Sequence, residues 1–220
     1  MNWTDKINIT NEDNMTLMSR YPDNYFDLAI VDPPYGIDIV DEFKKTVNSS
    51  SSMFNKSNGI KGCSKWDKSI PKKKYFDALF RVSKNQIIWG GNYFFDYLSN
   101  TRCVLIWDKM NGTNPMADAE LAWTSFDKSV RMFRMHHFSN GYGTKIHPTQ
   151  KPVKLYKWLL QNYAKAGDKI LDTHLGSGSI AIACHQMDFE LTGCELDKEY
   201  YNAAYKRFKE QTAQLTLNLK

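Results

Sequence analysis

The groups best equipped for chemistry lie in three short runs. The first is Asp32-Pro33-Pro34-Tyr35, which closes the apolar run Leu28-Ala29-Ile30-Val31. The prolines remove two backbone N–H donors and fix φ, so this stiff turn can neither extend a ladder nor wind a helix. A carboxylate, carbonyl oxygens without a local donor and an aromatic face gather at the end of a strand. That suits a flat group carrying an exocyclic amine. The plainer reading is a solvent-facing Asp and a packing Tyr after a strand. The second run is Asp172…Gly176-Ser177-Gly178…Glu195, which reads as strand, Gly-x-Gly turn, helix, strand, acid. That is the order of a nucleotide-binding βαβ unit, with the acid about 20 residues on, where it can take two ribose hydroxyls. The third is His147-Pro148-Thr149-Gln150-Lys151-Pro152, which leads into an amphipathic stretch. A helix N-terminus with a hydroxyl and a lysine is a natural seat for a carboxylate.

Alone, the second run fits NAD as well as S-adenosylmethionine, since Ala181 stands where a dinucleotide fingerprint tolerates Gly or Ala. Asp172 discriminates: an acid ending the first strand would repel a pyrophosphate but suits the cationic methionine amine. An NAD-dependent oxidoreductase is therefore the lesser alternative. His174 is read as a surface turn residue.

Taken in order, these runs resemble the amino-methyltransferases that modify exocyclic amines of adenine or cytosine, in the permuted β-group arrangement with the catalytic turn N-terminal. The resemblance spans about residues 7 to 212, and Thr173 and His174 stand where the family has Pro and Phe. It implies an α/β, Rossmann-like S-adenosylmethionine-dependent methyltransferase fold: a mostly parallel seven-stranded sheet with an antiparallel edge and helices on both faces. It implies catalysis by Asp32, Pro33, Pro34 and Tyr35. The cofactor, S-adenosyl-L-methionine, is expected to meet Asp13, Asp32, His147, Thr149, Lys151, Asp172, Leu175, Gly176, Ser177, Gly178, Glu195 and Leu196. Tyr35, Gly36, Trp66, Gly91, Asn92 and Tyr93 are expected on the substrate side, with no metal. Asp at the head of the tetrapeptide is commoner among adenine-N6 enzymes. The expected reaction is therefore site-specific methylation of adenine N6 in DNA, with the base flipped from a duplex or met single-stranded. The alternatives are cytosine N4, or a catalytically silent subunit that only binds nucleic acid. A homodimer and a restriction partner are compatible with the family.

The elements that must position these groups follow from pattern. Leu28–Val31 reads as a strand buried on both faces, as in a parallel sheet. Ile7-Asn8-Ile9 alternates as a strand before a short helix capped by Asp13 or Asn14. Tyr75–Val82 reads as helix, and Gln86–Trp89 as a strand ending in Gly90-Gly91, where the backbone must approach something closely or turn with positive φ. Strands are expected near 103–107 and 119–126. Residues 129–138 are expected to pair near them, the group making an antiparallel edge. Thr149 is expected to cap a helix over 153–164 with Pro152 in its first turn. A further helix starts at an Asp197 cap, and the last ten residues are expected to fray. Residues 37–70 lack a period and read as a mobile substrate-side loop.

Composition sets the frame. The 220 residues are 42% hydrophobic and 24% charged, ordinary for one globular domain. A net charge of +5 and 14% aromatics permit nucleic-acid binding without requiring it. Cys63, Cys103, Cys184 and Cys194 form no C-x-x-C pair, which argues against a zinc site and a disulfide framework. No apolar run approaches the roughly 20 residues of a membrane span. No basic-then-apolar leader is visible at residues 1–5, so a cytoplasmic, nucleoid-associated setting in a prokaryote or its mobile elements is expected. A single domain without a large target-recognition insert is expected over 1–220.

Overall fold

The computed structural model describes residues 2–37, 67–112, 117–136 and 146–217. Most of the expected mobile loop, with Trp66, lies outside the described residues, as does the turn at 141–145. The strands are β1 Ile7–Thr10, β2 Phe26–Val31, β3 Ser83–Trp89, β4 Leu105–Asp108, β5 Ala119–Thr124, β6 Arg131–Arg134, β7 Lys169–Asp172 and β8 Glu190–Cys194. The helices are α1 Asn14–Ser19, α2 Lys73–Val82, α3 Val153–Tyr163, α4 Ser179–Gln186 and α5 Lys198–Leu217.

All strands join one sheet in the order β1-β8-β7-β2-β3-β5-β4-β6. The β1, β8, β7, β2 and β3 neighbours run parallel, and β5 is antiparallel to both β3 and β4. The expectation of seven strands falls one short of the eight among the described residues. The extra one is β6, which does not continue the antiparallel edge but lies outside β4 and parallel to it, Ile106 opposite Met132.

β2 explains the apolar run that begins the catalytic turn. Leu28 and Ile30 pack into a core that includes α3, α4 and α5, while Ala29 and Val31 pack into a second core with α2. All four are at most 1% exposed, as a strand covered on both faces requires. The chain leaves β2 through α2 to β3 on one side, and leaves β7 through α4 to β8 on the other. β2 and β7 are therefore the pair at which strand order reverses, with Leu28 opposite Ile170 and Ala29 opposite Leu171. Ligands of open α/β sheets sit outside the carboxyl ends of such a pair.

Three boundary expectations need correction. Thr149 does not cap α3: Pro152, with φ −65° and ψ 140°, is the last non-helical residue, and Thr149 lies in a preceding turn bonded to His147. The C-terminal stretch does not fray from residue 211, because α5 continues to Leu217. No Gly or Pro interrupts it, and Tyr205 and Phe208 anchor it against Trp3 at ring distances of 5.4 and 5.1 Å. His174 is not a surface turn residue, as its contacts below show. Asp13 does cap α1, its carboxylate accepting from the N–H groups of Met15 and Thr16.

Candidate active site

The carboxyl ends of β2 and β7 open into a cleft of about 830 Å³. It is lined by Asp13, Asp32, Pro34, His147, Thr149, Lys151, Leu175, Gly176, Ser177, Glu195 and Leu196 among the expected site residues. Pro33, Tyr35, Gly36, Gly91, Asn92, Tyr93, Asp172 and Gly178 are not in its wall. The start of the glycine turn at Gly176 and the acid-proline turn, some 140 positions apart in sequence, thus share one opening.

The acid-proline turn is held from three sides. The Tyr35 hydroxyl donates to Asp32 Oδ1 at 2.5 Å. The N–H groups of Tyr35 and Gly36 both donate to Asp67 Oδ1, at 2.7 and 2.9 Å, so a carboxylate replaces the ladder that the prolines prevent. The Tyr35 ring stacks on Tyr93 with centroids 4.9 Å apart and planes 13° apart. The Gly90 expectation holds in both senses. Its φ is +69°, and a Cβ there would stand 2.1 Å from Tyr35 Cε1. Only glycine lets the end of β3 pass this close to the ring. Tyr93 covers one face of the Tyr35 ring and is itself 41% exposed.

Lys151 lines the cleft and also reaches the acid-proline turn. Its ammonium lies 2.5 Å from Asp32 Oδ2, 2.9 Å from Glu120 Oε2 and 3.4 Å from the Tyr35 hydroxyl. Its side chain is 1% exposed and faces the Asp32 carboxylate. Glu120, on β5, is held in turn by Lys109 at 2.7 Å. Burial opposes ionisation throughout this cluster. It raises the Asp32 carboxyl above its ordinary pKa, with Glu120 adding to the rise and Lys151 opposing it. Burial also works against the Lys151 ammonium, but Asp32 and Glu120 outweigh it and raise its pKa. Glu120, between two lysines that outweigh its burial, is lowered to about 2. Glu120 was not singled out in the sequence. The available signal was strand alternation, which puts it on the same face of β5 as the fully buried Ala122 and Thr124.

On the cofactor side, Glu195 leaves the end of β8 and accepts from Gly176 N–H at 2.8 Å and Asp197 N–H at 2.9 Å. Burial raises its pKa against these two hydrogen bonds. Gly178, with φ +71°, ends the turn and starts α4. Arg207 of α5 donates to the Ser177 carbonyl at 2.7 Å and to Ser179 Oγ at 2.9 Å, and Ser179 Oγ donates to the Lys151 carbonyl. The glycine turn and the segment before α3 are thereby tied together. His147 packs on Tyr200 at 4.4 Å, with Nδ1 3.0 Å from Thr149 Oγ1.

Asp172 is 2% exposed and accepts from His174 N–H at 3.0 Å. Burial pushes its pKa up to about 8. His174 belongs to a chain of side chains along the cleft wall. Its Nε2 lies 3.0 Å from Asn14 Nδ2, its Nδ1 3.0 Å from Thr173 Oγ1, and that hydroxyl lies 2.8 Å from Tyr75 OH. Because the Asn14 amide donates, Nε2 accepts and the imidazole is neutral. Burial agrees, holding its pKa down to about 4. No sequence signal joins Asn14, Tyr75 and His174, since three different elements bring them together.

The cleft therefore combines an acid-proline turn with a neutralised carboxylate, an aromatic stack and a glycine turn holding a second acid. Its volume is that of a pocket for one drug-sized ligand. Among the described residues no cluster of His, Cys, Asp and Glu suited to a metal occurs, and no helix is long and apolar enough to cross a membrane.

Comparison with known proteins bears on this cleft directly. Residues 64–206 match the family model described as DNA methylase. The chain is 30% identical over 104 residues to the Type II methyltransferase M.HpaI of Haemophilus parainfluenzae, covering 47% of this chain and 29% of that protein. It is 26% identical over 153 residues to the Type II methyltransferase M2.DpnII of Streptococcus pneumoniae, covering 66% of this chain and 50% of that one. The chain thus spans half or less of these two relatives. Among solved structures, the complex of M1.HpyAVI with SAM is similar in fold, with a TM-score of 0.60 at 18% identity over 91% of this chain and 98% of that one.

Proposed function

The chain belongs to the DNA methylase family, and from that premise we propose that it moves a methyl group from S-adenosylmethionine to the exocyclic N6 of adenine in DNA. The observation that carries the reading is the shared opening of the Asp32 turn and the Gly176 turn at the carboxyl ends of neighbouring strands.

S-adenosylmethionine, when bound, supplies an electrophilic methyl group on a sulfonium. The residues present fit it. Glu195 lines the cleft at the end of β8, suited to the ribose hydroxyls. The wall formed by His147, Thr149 and Gly176 suits the remainder. Asp172, outside that wall and with its pKa pushed up to about 8, would offer negative charge to a cationic amine only once deprotonated. The amine to be methylated is a poor nucleophile, because its lone pair conjugates into the ring. Asp32 and the Pro33 carbonyl accept its hydrogens, draw it toward tetrahedral geometry and stabilise the positive charge that develops. Such preorganised acceptors are worth roughly 3 to 4 kcal/mol each in a site shielded from water. Lys151 opposes the effect of burial on Asp32 and favours the ionised form, which accepts rather than donates. Tyr35 fixes the other oxygen of that carboxylate. The base must leave the duplex to reach this corner or arrive single-stranded. Stacking beside Tyr35 requires Tyr93, exposed at the mouth, to yield its place or to stack on the base itself.

Adenine is favoured over cytosine by the Asp at the head of the turn. The test is transfer of labelled methyl to DNA, followed by digestion to nucleosides and chromatography. Label is expected in N6-methyldeoxyadenosine. Label in N4-methyldeoxycytidine would move the reading to the other base, and a wild-type chain that labels no DNA would overturn it.

A further inference from the structure

Four charges of alternating sign run in a line from the catalytic turn into the antiparallel edge of the sheet: Asp32, Lys151, Glu120 and Lys109, at successive separations of 2.5, 2.9 and 2.7 Å. Only the first belongs to the acid-proline turn, and the last two are delivered by strands that contribute nothing to the glycine turn. Lys151 is 1% exposed, and its ammonium also stands 5.3 Å from the Trp89 ring. A lysine so placed must have its charge met by fixed partners, since water is excluded. Asp32 alone would meet it, but then the acceptor that the reaction needs would be spent as a counterion. Glu120 divides the task.

We propose that Glu120 is a positioning residue for methyl transfer: anchored by Lys109, it shares the Lys151 ammonium with Asp32, so that Asp32 keeps accepting capacity for the substrate amine. The proposal rests on the reading of this cleft as a methyl-transfer site. It adds a residue outside the turn and the glycine loop, which reaches Asp32 through the shared Lys151 and through its own charge.

The groups facing Asp32 are Tyr35 in its own turn, Lys151 and Tyr156 from the α3 side, Glu120 from β5, Asp172 at the end of β7, and Tyr75 of α2. Of these, Glu120 and Lys151 act on Asp32 with opposite sign. The negative charge of Glu120 raises the Asp32 pKa and the positive charge of Lys151 lowers it. Removing each in turn must therefore move the acid limb of the pH–rate profile in opposite directions. A residue that only supported the fold would lower activity without this pattern.

The experiment measures kcat against pH, cofactor dissociation by calorimetry, and the 13C carboxyl titration of Asp32 in wild type, Glu120→Gln, Glu120→Asp and Lys151→Met. For Glu120→Gln the expected result is a kcat lower by about tenfold or more, the scale of a misplaced catalytic group. Its cofactor dissociation constant should stay within about twofold, the limb and the Asp32 titration moving to lower pH. Lys151→Met should move both to higher pH, and Glu120→Asp, which keeps the charge, should recover part of the rate with the limb near its wild-type place. An Asp32 titration that is unmoved or moved upward in Glu120→Gln would overturn the proposal, and this titration can be read in a variant with no measurable turnover. Failure of wild type to methylate DNA would instead strike the reading of the site, and the Asp32 titrations would still judge the coupling to Glu120.

Discussion

Glu195 spends a hydrogen bond from each carboxylate oxygen on backbone, one on Gly176 and one on Asp197, and still faces the cleft. It therefore shapes the glycine turn and offers acceptors to a ribose at once. Glu195→Ala is expected to raise the cofactor dissociation constant about 10- to 100-fold, the worth of a hydrogen bond to a charged group, with turnover at saturating cofactor far less affected. Calorimetry checks this, and an unchanged dissociation constant would remove the ribose assignment. Residues of this kind were legible because their partners lie within one βαβ unit. The same holds for Asp-Pro-Pro-Tyr, whose stiffness is written in consecutive residues. Glu120, Asp67 and the Asn14–His174–Tyr75 chain were not legible as site residues, because each gains its role from a partner at least 31 positions away. Lys151 was legible as a site residue, but its ion pair with Asp32, 119 positions away, was not.

At the scale of elements, β3 and its Gly90-Gly91 end matter as much as β2. Gly90 brings the end of β3 against the Tyr35 ring, and Gly91 does the same against Trp123 of β5, where a Cβ would stand 2.6 Å from Trp123 Cβ. Gly90→Ala adds a collision with Tyr35 to the strain of a positive φ. Gly112, at φ +62° with no atom within 4 Å of an added Cβ, has the strain without the collision. Gly90→Ala is expected to lose about 1–3 kcal/mol of stability and most turnover, and Gly112→Ala less stability and no turnover. Denaturant melts and rate measurements on both variants check this; equal losses would mean that the ring contact contributes nothing. The strands and most helices were legible from alternation and the 3.6-residue period, because local burial dictates them. The cap of α3 was misplaced because Thr149 and Pro152 both carry start signals and only the latter's extended ψ marks the boundary. The direction of β6 was beyond a pattern argument, since pairing partners are chosen by tertiary contact.

For the whole molecule, strands far apart in the chain adjoin where the sheet order reverses, and their ends share a cleft. That cleft has an energetic cost, which Asp172 makes measurable. Its carboxyl titrates near 3.8 when unfolded and at about 8 when folded. Between these values the folded chain binds the extra proton, so the stability that this group confers below the lower value is lost as pH rises through the upper one. Asp172→Asn removes the dependence. The melting temperature of the variant relative to wild type should therefore climb from pH 5 to pH 9; a constant difference would contradict the assignment. The account's central claim is that the two turns meet in one cleft with separate tasks, cofactor capture at the glycine turn and amine activation at Asp32. Asp32→Asn tests it most directly, by calorimetric cofactor binding and single-turnover methyl transfer on the same preparation. The account predicts a dissociation constant within about threefold of wild type and a transfer rate lower by about 100-fold or more, the scale set by losing a preorganised acceptor. Loss of cofactor affinity in step with the loss of transfer would contradict it.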